Sequence, residues 1–302
     1  MENLGKYDVI IIGGSYAGLS AGMALGRSLR QVLIIDSGSP CNQQTPHSHN
    51  FITQDGQKPS VIASIAKEQV LQYPTVEYIN AFATNGIRNG KSFVIQTDRG
   101  ERFESDKLLF ATGIKDIMPA IGGFAEAWAK SIVHCPYCHG YEIRNKKTGI
   151  LLNGAKAFHM ASLLNNLTDQ ITILTAGEPD FTQEQLAKFK KHNIAIVEKK
   201  VKEIEQQDGQ IAQVLFEDNS RLALDALYAG LPFEQHSEIP KQLGCETTEE
   251  GYIKVDGFQK TTVDGVFACG DNSSMMRSVS NAVATGGVAG AMLNKELVDD
   301  RF

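Results

Sequence analysis

Two cysteines and two histidines lie within six positions of the segment SIVHCPYCHGYE, residues 131–142. Cys135-x-x-Cys138 followed by His139 matches the attachment site of a c-type haem, in which two thiols hold the porphyrin and the histidine binds iron. With His134 added, the same side chains offer four ligands for zinc. Cys135 and Cys138 alone form a redox dithiol, whose sulfurs can open and close a disulfide. The segment by itself leaves these three chemistries open.

The composition narrows the class of protein that carries this segment. A chain of 302 residues, 42% apolar and 21% charged, predicts about two folded domains. The net charge of −6 is scattered, without the concentrated basic patch of a nucleic-acid surface. No apolar run reaches the roughly 20 residues that span a membrane. We therefore expect neither nucleic acid nor a membrane as a partner.

The cysteines and the start of the chain predict a cellular compartment. The five cysteines are an odd number, and MENLGKYDVII leads directly into an apolar strand without the pattern of a signal peptide. This combination predicts a cytoplasmic, reducing location, in which a close cysteine pair is more often catalytic or metal-binding than structural. Covalent haem is disfavoured, because its attachment normally follows export.

An N-terminal βαβ unit is the most informative element outside the cysteine segment. YDVIIIGGSYAGLSAGMALGRSLRQVLIIDSG reads as an apolar strand from Val9 to Ile12, a glycine turn, a helix with small residues, and a strand that ends in Asp36. Such a turn lets backbone N–H groups approach a pyrophosphate, although Ser15 replaces the middle glycine of the fingerprint, while Asp36 accepts hydrogen bonds from a ribose. The alternative is an ordinary parallel crossover. The predicted dinucleotide-binding residues are Gly13, Gly14, Ser15, Ala17, Gly18 and Asp36.

The C-terminal end indicates FAD as the dinucleotide. A short strand from Val266 to Cys269 leads into Gly270-Asp271, and a helix rich in alanine and glycine starts near Arg277 to Val279. The aspartate can bind a polyol such as ribitol, and the helix N-terminus favours an anionic ring. A buried strand in KLLFATGIKDIMP supplies a third contact. The predicted FAD residues in these two regions are Ala111, Thr112, Gly113, Gly270, Asp271, Arg277, Ser278 and Val279.

A second βαβ pattern, TGILLNGAKAFHMASLLNNLTDQITILTAGEPD, predicts a related half inserted into the first. We place Asn153 and Ala155 at its first and second glycine positions, and Phe158 where a small packing residue belongs. Phe158 is expected to crowd the helix against its strand and displace a pyrophosphate. The following LTAGEPD contains no arginine for the 2′-phosphate of NADPH. Direct use of NADPH is therefore doubtful.

The motifs occur in a fixed order along the chain: the Gly-rich βαβ unit, Ala-Thr-Gly, Cys-x-x-Cys, a second βαβ unit and Gly-Asp. In this order the chain resembles the low-molecular-weight thioredoxin reductases. These are FAD-dependent pyridine-nucleotide:disulfide oxidoreductases, and the resemblance covers essentially the whole chain. It implies an α/β fold of two Rossmann-like three-layer (ββα) domains, the second inserted into the first, in a homodimer. Residues 1–117 and 247–302 would form the FAD domain and residues 118–246 the inserted domain. Cys138 would exchange electrons with the flavin, and Cys135 would attack the external disulfide.

The redox dithiol is the reading that agrees best with a flavin, because both carry two electrons as a pair. A closed zinc site needs four protein ligands, whereas Cys245 and Cys269 are isolated in the sequence and, with Cys41, are expected to be core residues or uninvolved. His139 stands where the standard reductases carry an aspartate, and its imidazole can exchange protons near neutral pH. The string CPYCHGYE is close to that of a side branch, the dithiol oxidases that close disulfides in small metabolites such as gliotoxin and holomycin.

The sequence therefore predicts an FAD-dependent thiol-disulfide oxidoreductase that passes two electrons between flavin and the Cys135/Cys138 pair, without direct NADPH binding and without a metal. Its catalytic residues would be Cys135, Cys138 and His139, and its partner a small dithiol or disulfide or a thioredoxin-like protein. One alternative is an NADPH-dependent thioredoxin-disulfide reductase. Another, from a different class, is a flavin-bound redox sensor that does not turn over.

Overall fold

A computed structural model describes residues 5–302 as a mixed α/β chain. The strands are β1 (Gly5–Ile12), β2 (Val32–Asp36), β3 (Val76–Asn80), β4 (Ala83–Asn89), β5 (Ser92–Thr97), β6 (Arg102–Phe110), β7 (Ile114–Asp116), β8 (Ile132–Val133), β9 (Thr148–Leu151), β10 (Ile171–Leu174), β11 (Ala195–Val197), β12 (Val201–Gln207), β13 (Gln210–Phe216), β14 (Arg221–Ala223), β15 (Ala226–Ala229), β16 (Phe233–Gln235) and β17 (Val266–Ala268). The helices are α1 (Tyr16–Arg27), α2 (Pro59–Val70), α3 (Phe124–Ala127), α4 (Pro136–His139), α5 (Gly154–Leu164), α6 (Gln183–Lys191), α7 (Ile239–Gln242) and α8 (Val279–Arg301).

The chain divides into two compact units. The first unit contains the described residues up to Gln43, together with Lys58–Lys115 and Phe233–Phe302; the second contains Gln44–Gln57 and Asp116–Pro232. The sequence placed the divisions at 117 and 246 and gave residues 44–57 to the first domain. Those ranges stay a prediction about which part of the chain serves which cofactor.

A seven-stranded sheet forms the centre of the first unit, in the order β3-β2-β1-β6-β5-β4, with β17 paired to β6. Strands β1, β2, β3, β6 and β17 run parallel, as expected for βαβ crossovers, while β5 runs antiparallel to its two neighbours β4 and β6. Alternate residues of β1 such as Ile10 and Ile12 join one core cluster. The other face of the sheet meets α1, where a Cβ on Gly22 would lie 2.9 Å from the side chain of Ile34. The sheet is thus covered on both faces, which explains its nearly continuous apolar strands.

The second unit has three layers. A parallel sheet, in the order β11-β10-β9-β15-β8, lies between the antiparallel sheet β12-β13-β14 and the helices α5 and α6. Leu227 packs towards the antiparallel sheet with Ile204 and Val214, whereas Ile150 packs towards the helices with Ala157. The predicted α/β fold with Rossmann-like ββα organisation is confirmed.

Two features complete the architecture. The short strands β7 and β16 pair with each other at the points where the chain passes from one unit to the next. In the part of the chain that the structure describes, each helix is too short or too polar to cross a membrane.

Candidate active site

The dithiol segment, residues 131–142, contains strand β8, a two-residue connection and the single helical turn α4. Cys135 occupies the N-cap of α4, Pro136 is its first residue, and the N–H groups of Cys138 and His139 both donate to the Cys135 carbonyl at 3.3 Å. This single helical turn brings the two half-buried sulfurs to 2.7 Å, with Cys138 Sγ donating to Cys135 Sγ. Both cysteines are in the thiol form, and the separation of their sulfurs allows a disulfide to close with a small rotation of each side chain.

His139 is the last residue of the same helical turn. Burial lowers the pKa of its imidazole below the usual value. The carboxylate of Glu142 opposes this shift, and the electrostatic interaction with His49 adds to it. The ring is therefore neutral at pH 7, with a nitrogen lone pair available for a thiol proton.

Tyr228 is a buried hydroxyl group beside the dithiol segment. It pairs in register with Val133 of β8, two residues before Cys135, and its side chain is 0% exposed. Its Oη has no hydrogen-bond partner among residues 5–302. Burial raises the pKa of Tyr228, and the charges of Cys135, Cys138 and Glu142 raise it further, so that the group remains a protonated donor. Nothing in the sequence pattern distinguishes this tyrosine from an ordinary core residue.

The remaining cysteines lie elsewhere in the fold. Cys245 and Cys269 are buried in the first unit, and burial raises the pKa of both thiols, so they are poor nucleophiles. The expectation that these two are core residues is confirmed, whereas Cys41 is exposed, its Sγ 3.9 Å from the Asp271 carboxylate. His134 stacks on the ring of Trp128, with the centroids 6.1 Å apart.

Residues 13–18 of the first unit form a turn, the first turn, in which backbone segments approach closely. Gly13 has a φ of 105°, and a Cβ on it would lie 2.2 Å from the Ala111 carbonyl oxygen. A Cβ on Gly18 would lie 1.9 Å from the Gly13 carbonyl oxygen. Ser15 is the N-cap of α1 but makes no side-chain cap hydrogen bond. Only glycine fits at these two positions without a clash. The N–H groups at the N-terminus of α1 have no side-chain cap and can bind an anion.

Asp36 closes the other side of the first turn. One of its carboxylate oxygens accepts the Gly14 N–H at 2.9 Å, and the other accepts the hydroxyl of Tyr78 at 2.6 Å. The second oxygen, Oδ2, also accepts the Gly38 N–H at 3.2 Å. The carboxylate is thereby oriented, and Oδ1, which accepts only the Gly14 N–H among these donors, can accept a further hydrogen bond from a ribose hydroxyl. Sequence reasoning found Asp36 but not Tyr78.

The predicted residues at the carboxyl ends of β6 and β17 are joined by a residue that the sequence did not single out. Asn272 is 0% exposed, and its Nδ2 donates to the Phe110 carbonyl at 2.8 Å and to Thr112 Oγ1 at 3.2 Å. Gly270 has a φ of 83°, and a Cβ on it would lie 3.0 Å from Ala17 Cβ. The end of β17 thus packs against the first turn.

The start of α8 agrees with the sequence prediction. Ser278 caps the helix by accepting the Asn281 N–H at 3.1 Å, and Val279 is the first helical residue. Arg277 Nε lies 3.9 Å from an Asp271 carboxylate oxygen, with both side chains largely buried. The structure therefore groups the predicted residues of this region around the end of β17; Gly113, with a φ of 64°, follows β6.

A dinucleotide fits this arrangement. The cradle between Gly13, Gly18 and Ala111 has no room for a Cβ, the N-terminus of α1 is uncapped, and the Asp36 carboxylate lies beside it. Close backbone approach, free N–H groups and an oriented acid are the features that bind a pyrophosphate and its ribose. The residues that could hold FAD are therefore those predicted from the sequence, with Asn272 and Tyr78 positioning them.

The corresponding turn of the second unit, residues 152–157, differs in register from the sequence prediction. Gly18 is the sixth residue after β1 ends, and the sixth residue after β9 ends is Ala157, not Phe158. Ala157 is 0% exposed and packs beneath α5, whereas Phe158 is half-buried and contacts Phe189 of α6 at a centroid distance of 5.6 Å. The expectation that Phe158 crowds the helix against its strand is wrong, because its side chain points to the neighbouring helix. The middle glycine position likewise belongs to Gly154, with a φ of 60°, and not to Ala155.

The second turn is instead filled by side chains of its own unit. Asn153 caps α5, and its Oδ1 accepts the N–H groups of Gly154 at 2.8 Å and Asp180 at 3.0 Å. A Cβ on Gly154 would lie 3.2 Å from a carboxylate oxygen of Asp180. Thr175, directly after β10, takes the place that corresponds to Asp36 at the end of β2. A carboxylate where a pyrophosphate would lie repels it, since both are anions.

Comparison with known proteins places this chain among disulfide oxidoreductases. The sequence profile of the family "Pyridine nucleotide-disulphide oxidoreductase" matches residues 7–286. The chain is 33% identical over 304 residues to thioredoxin reductase tcpT of Claviceps purpurea, covering 97% of this chain and 95% of that protein. It is 31% identical to thioredoxin reductase sirT of Leptosphaeria maculans, covering 95% and 93%. A crystal structure of an oxidoreductase from Agrobacterium tumefaciens superposes with a TM-score of 0.91 at 34% identity, over 97% and 99% of the two chains.

Proposed function

Because this chain belongs to the pyridine nucleotide-disulphide oxidoreductase family and is a thioredoxin reductase-like enzyme, we propose that its first unit binds FAD and its second unit carries out thiol-disulfide exchange. The observation that carries the proposal is that the two sulfurs of the dithiol lie 2.7 Å apart next to a neutral histidine in the second unit, while the first unit contains a turn whose helix N-terminus has no side-chain cap. FAD, when bound, supplies an acceptor and donor of electron pairs.

The residues of the second unit define the sulfur chemistry. In the disulfide form of the pair, Cys135 is the sulfur that an incoming thiolate attacks and Cys138 is the leaving thiolate, by the family resemblance. His139 takes the proton of the attacking thiol, which its lowered pKa permits at neutral pH. The second thiol of the same molecule then attacks the mixed disulfide, so that a dithiol leaves as a disulfide and both cysteines end reduced.

We further propose that the substrate is a small dithiol, oxidised with oxygen as final acceptor, in keeping with the CPYCHGYE segment. The balanced reaction converts a dithiol and oxygen to a disulfide and hydrogen peroxide. The side chains of Asn153 and Asp180 at the second turn support this proposal, because they stand where the pyrophosphate of NADPH would have to bind. A cytoplasmic location and a homodimer remain predictions of the sequence.

A second candidate is an NADPH-dependent reductase that acts on a thioredoxin-like protein. Gly154 and Ala157 favour it, because they keep two of the three fingerprint positions, with a φ of 60° at Gly154 and full burial of Ala157. This candidate requires Asn153 and Asp180 to move away from α5.

Product analysis tests the proposal. Purified protein with bound FAD is incubated in air with a small dithiol, and disulfide formation is followed by mass spectrometry beside oxygen consumption. We expect disulfide and peroxide in equal amounts, loss of both in Cys135→Ser and Cys138→Ser, and no loss in the exposed-cysteine control Cys41→Ser. Protein without bound FAD, or FAD-loaded protein that forms no disulfide, would refute the proposal.

A further inference from the structure

The segment of residues 44–57 lies far from the dithiol in sequence but packs within the second unit. Ser48 and Gln57 form an antiparallel bridge that closes the segment into a loop, and Ser48 is buried. This loop places His49 Nδ1 3.7 Å from an oxygen of Glu142 and 3.6 Å from an oxygen of Asp55. A histidine from outside the dithiol segment is thereby paired with a carboxylate inside it.

Glu142 faces His139 as well as His49. It follows His139 by three residues on a turn that continues α4, since Gly140 N–H donates to Pro136 at 2.7 Å and Ile143 N–H to His139 at 3.3 Å. Residues three apart on such a turn share a face. The electrostatic influence of both Glu142 and His49 on His139 agrees with this placement.

We propose that His139, Glu142 and His49 form a proton path between the dithiol and solvent, in which His49 is a positioning residue. The proposal rests on the thiol-disulfide function proposed above. It adds the route by which the proton of the dithiol reaches solvent and the residues that set the charge around His139.

The reaction needs such a route. A dithiol that closes to a disulfide gives up two electrons and two protons, and an acceptor that takes the electrons with one proton leaves one proton to remove. His139 is half-buried, and a neighbouring carboxylate that reaches solvent offers its proton a route. The path reaches solvent at Glu142, which is 40% exposed, while His49 is 20% exposed and lies next to Asp55, which is 67% exposed.

His49 also balances the charge of Glu142. A carboxylate beside His139 stabilises the imidazolium and so weakens the base, whereas a second histidine on the far side of that carboxylate offsets the effect. The charged or titratable groups near these residues include Asp55, the dithiol, the buried hydroxyl of Tyr228, which interacts with Glu142, and the ring of His47, 6.5 Å from that of His49.

Two opposite shifts test the pairing without any turnover. Histidine NMR of the FAD-bound protein follows the titration of His139 in His49→Gln and Glu142→Gln. We expect the midpoint to rise in His49→Gln and to fall in Glu142→Gln. The matched control is His47→Gln, the same substitution two residues away on an exposed side chain, which should leave the midpoint unchanged. An unchanged His139 midpoint in both test variants would overturn the pairing.

Rates test the path itself. In single-turnover oxidation of a small dithiol at low buffer concentration, His49→Gln should be about five- to tenfold slower than the wild type, as expected for partial loss of proton transfer, and added imidazole should restore most of the rate. His47→Gln should match the wild type. A His49→Gln rate equal to the wild type, or a slow rate that imidazole fails to restore, would overturn the path. A wild type that does not react with dithiols would instead refute the proposed function, and the NMR shifts would still decide the pairing.

Discussion

The first turn, residues 13–18, and the second turn, residues 152–157, both connect a strand to a helix in a βαβ unit, but different side chains surround them. In the first unit, Gly13 and Gly18 bring backbones together, and the N-terminus of α1 has no side-chain cap. In the second unit, Asn153 caps α5, and the carboxylate of Asp180 lies beside Gly154. A helix N-terminus binds an anion only while its N–H groups are free. We therefore infer that the side chains at each turn, and not the shared fold, decide whether that turn binds a nucleotide.

The contrast also suggests a division of labour between the units. The first keeps the features of a cofactor site, while the second, with its turn filled, keeps a reactive dithiol. Parallel sheets and crossover helices persist in both because they bury the core, irrespective of whether a ligand is bound.

The largest effect is expected from breaking the first turn. Gly18→Ala adds a Cβ 1.9 Å from the Gly13 carbonyl oxygen, which forces helix and strand apart and should abolish FAD binding. The control is Gly287→Ala, since a Cβ on this helical glycine meets its nearest neighbour, Ser20 Oγ, at an ordinary 3.5 Å. FAD per chain is measured from flavin absorbance, with circular dichroism to verify folding. Full FAD occupancy in Gly18→Ala would show that the first turn is not the cofactor site.

The two sulfurs of the dithiol in the second unit should have different roles in the reaction. The reagent is an activated disulfide of the substrate thiol. In Cys138→Ser, Cys135 can attack this reagent and form a mixed disulfide with the substrate, but the second cysteine that would resolve the mixed disulfide is missing. We expect this adduct in the intact mass of Cys138→Ser and little of it in Cys135→Ser. Equal adducts in the two variants would contradict the assignment of Cys135 as the attacked sulfur.

The pH dependence tests whether the second unit supplies the base. Burial lowers the pKa of His139, so its neutral form persists below the usual histidine range. The rate of dithiol oxidation should hold from neutral pH to below about 6.5 and then fall as His139 becomes protonated. In His139→Asn this acid limb should disappear and the rate at pH 7 drop by about 100-fold, with FAD content unchanged. An acid limb that survives in His139→Asn would assign the base to another group.

The smallest effect concerns the caps of the two helices. Asn153→Ala removes the side chain that accepts two N–H groups, and the loss of such a cap costs about 1 kcal/mol of stability. Ser15→Ala removes no cap hydrogen bond and should cost less than about 0.5 kcal/mol. Urea denaturation of the FAD-free proteins measures both. Equal losses would mean that the two helix N-termini are capped alike.

Local patterns in the sequence predicted much of the fold and of the site. The glycine turn, the acid at the end of β2, the dithiol loop and the start of α8 at Val279 each depend on residues adjacent in the chain. The register of the second turn was missed by one residue, because it is set by where β9 ends. A sequence pattern fixes that end less sharply than strand pairing does.

Long-range partners could not be predicted for a different reason. Tyr78 reaches Asp36, Asn272 reaches Thr112, and His49 reaches Glu142 across large separations in the chain. Single tyrosine, asparagine and histidine residues are common, and only the fold shows which of them meet a functional group. The buried hydroxyl of Tyr228 is another case, since its strand pattern is that of an ordinary core.

The electron source tests the central claim most directly. Stopped-flow spectroscopy follows anaerobic bleaching of bound flavin by NADPH, by NADH and by a small dithiol, each at saturating concentration. Because Asn153 and Asp180 fill the second turn while Cys135 and Cys138 form an accessible pair, the dithiol should bleach the flavin rapidly and both nicotinamide nucleotides slowly or not at all. Fast, saturable bleaching by NADPH would contradict the account and assign the second turn a working nucleotide site.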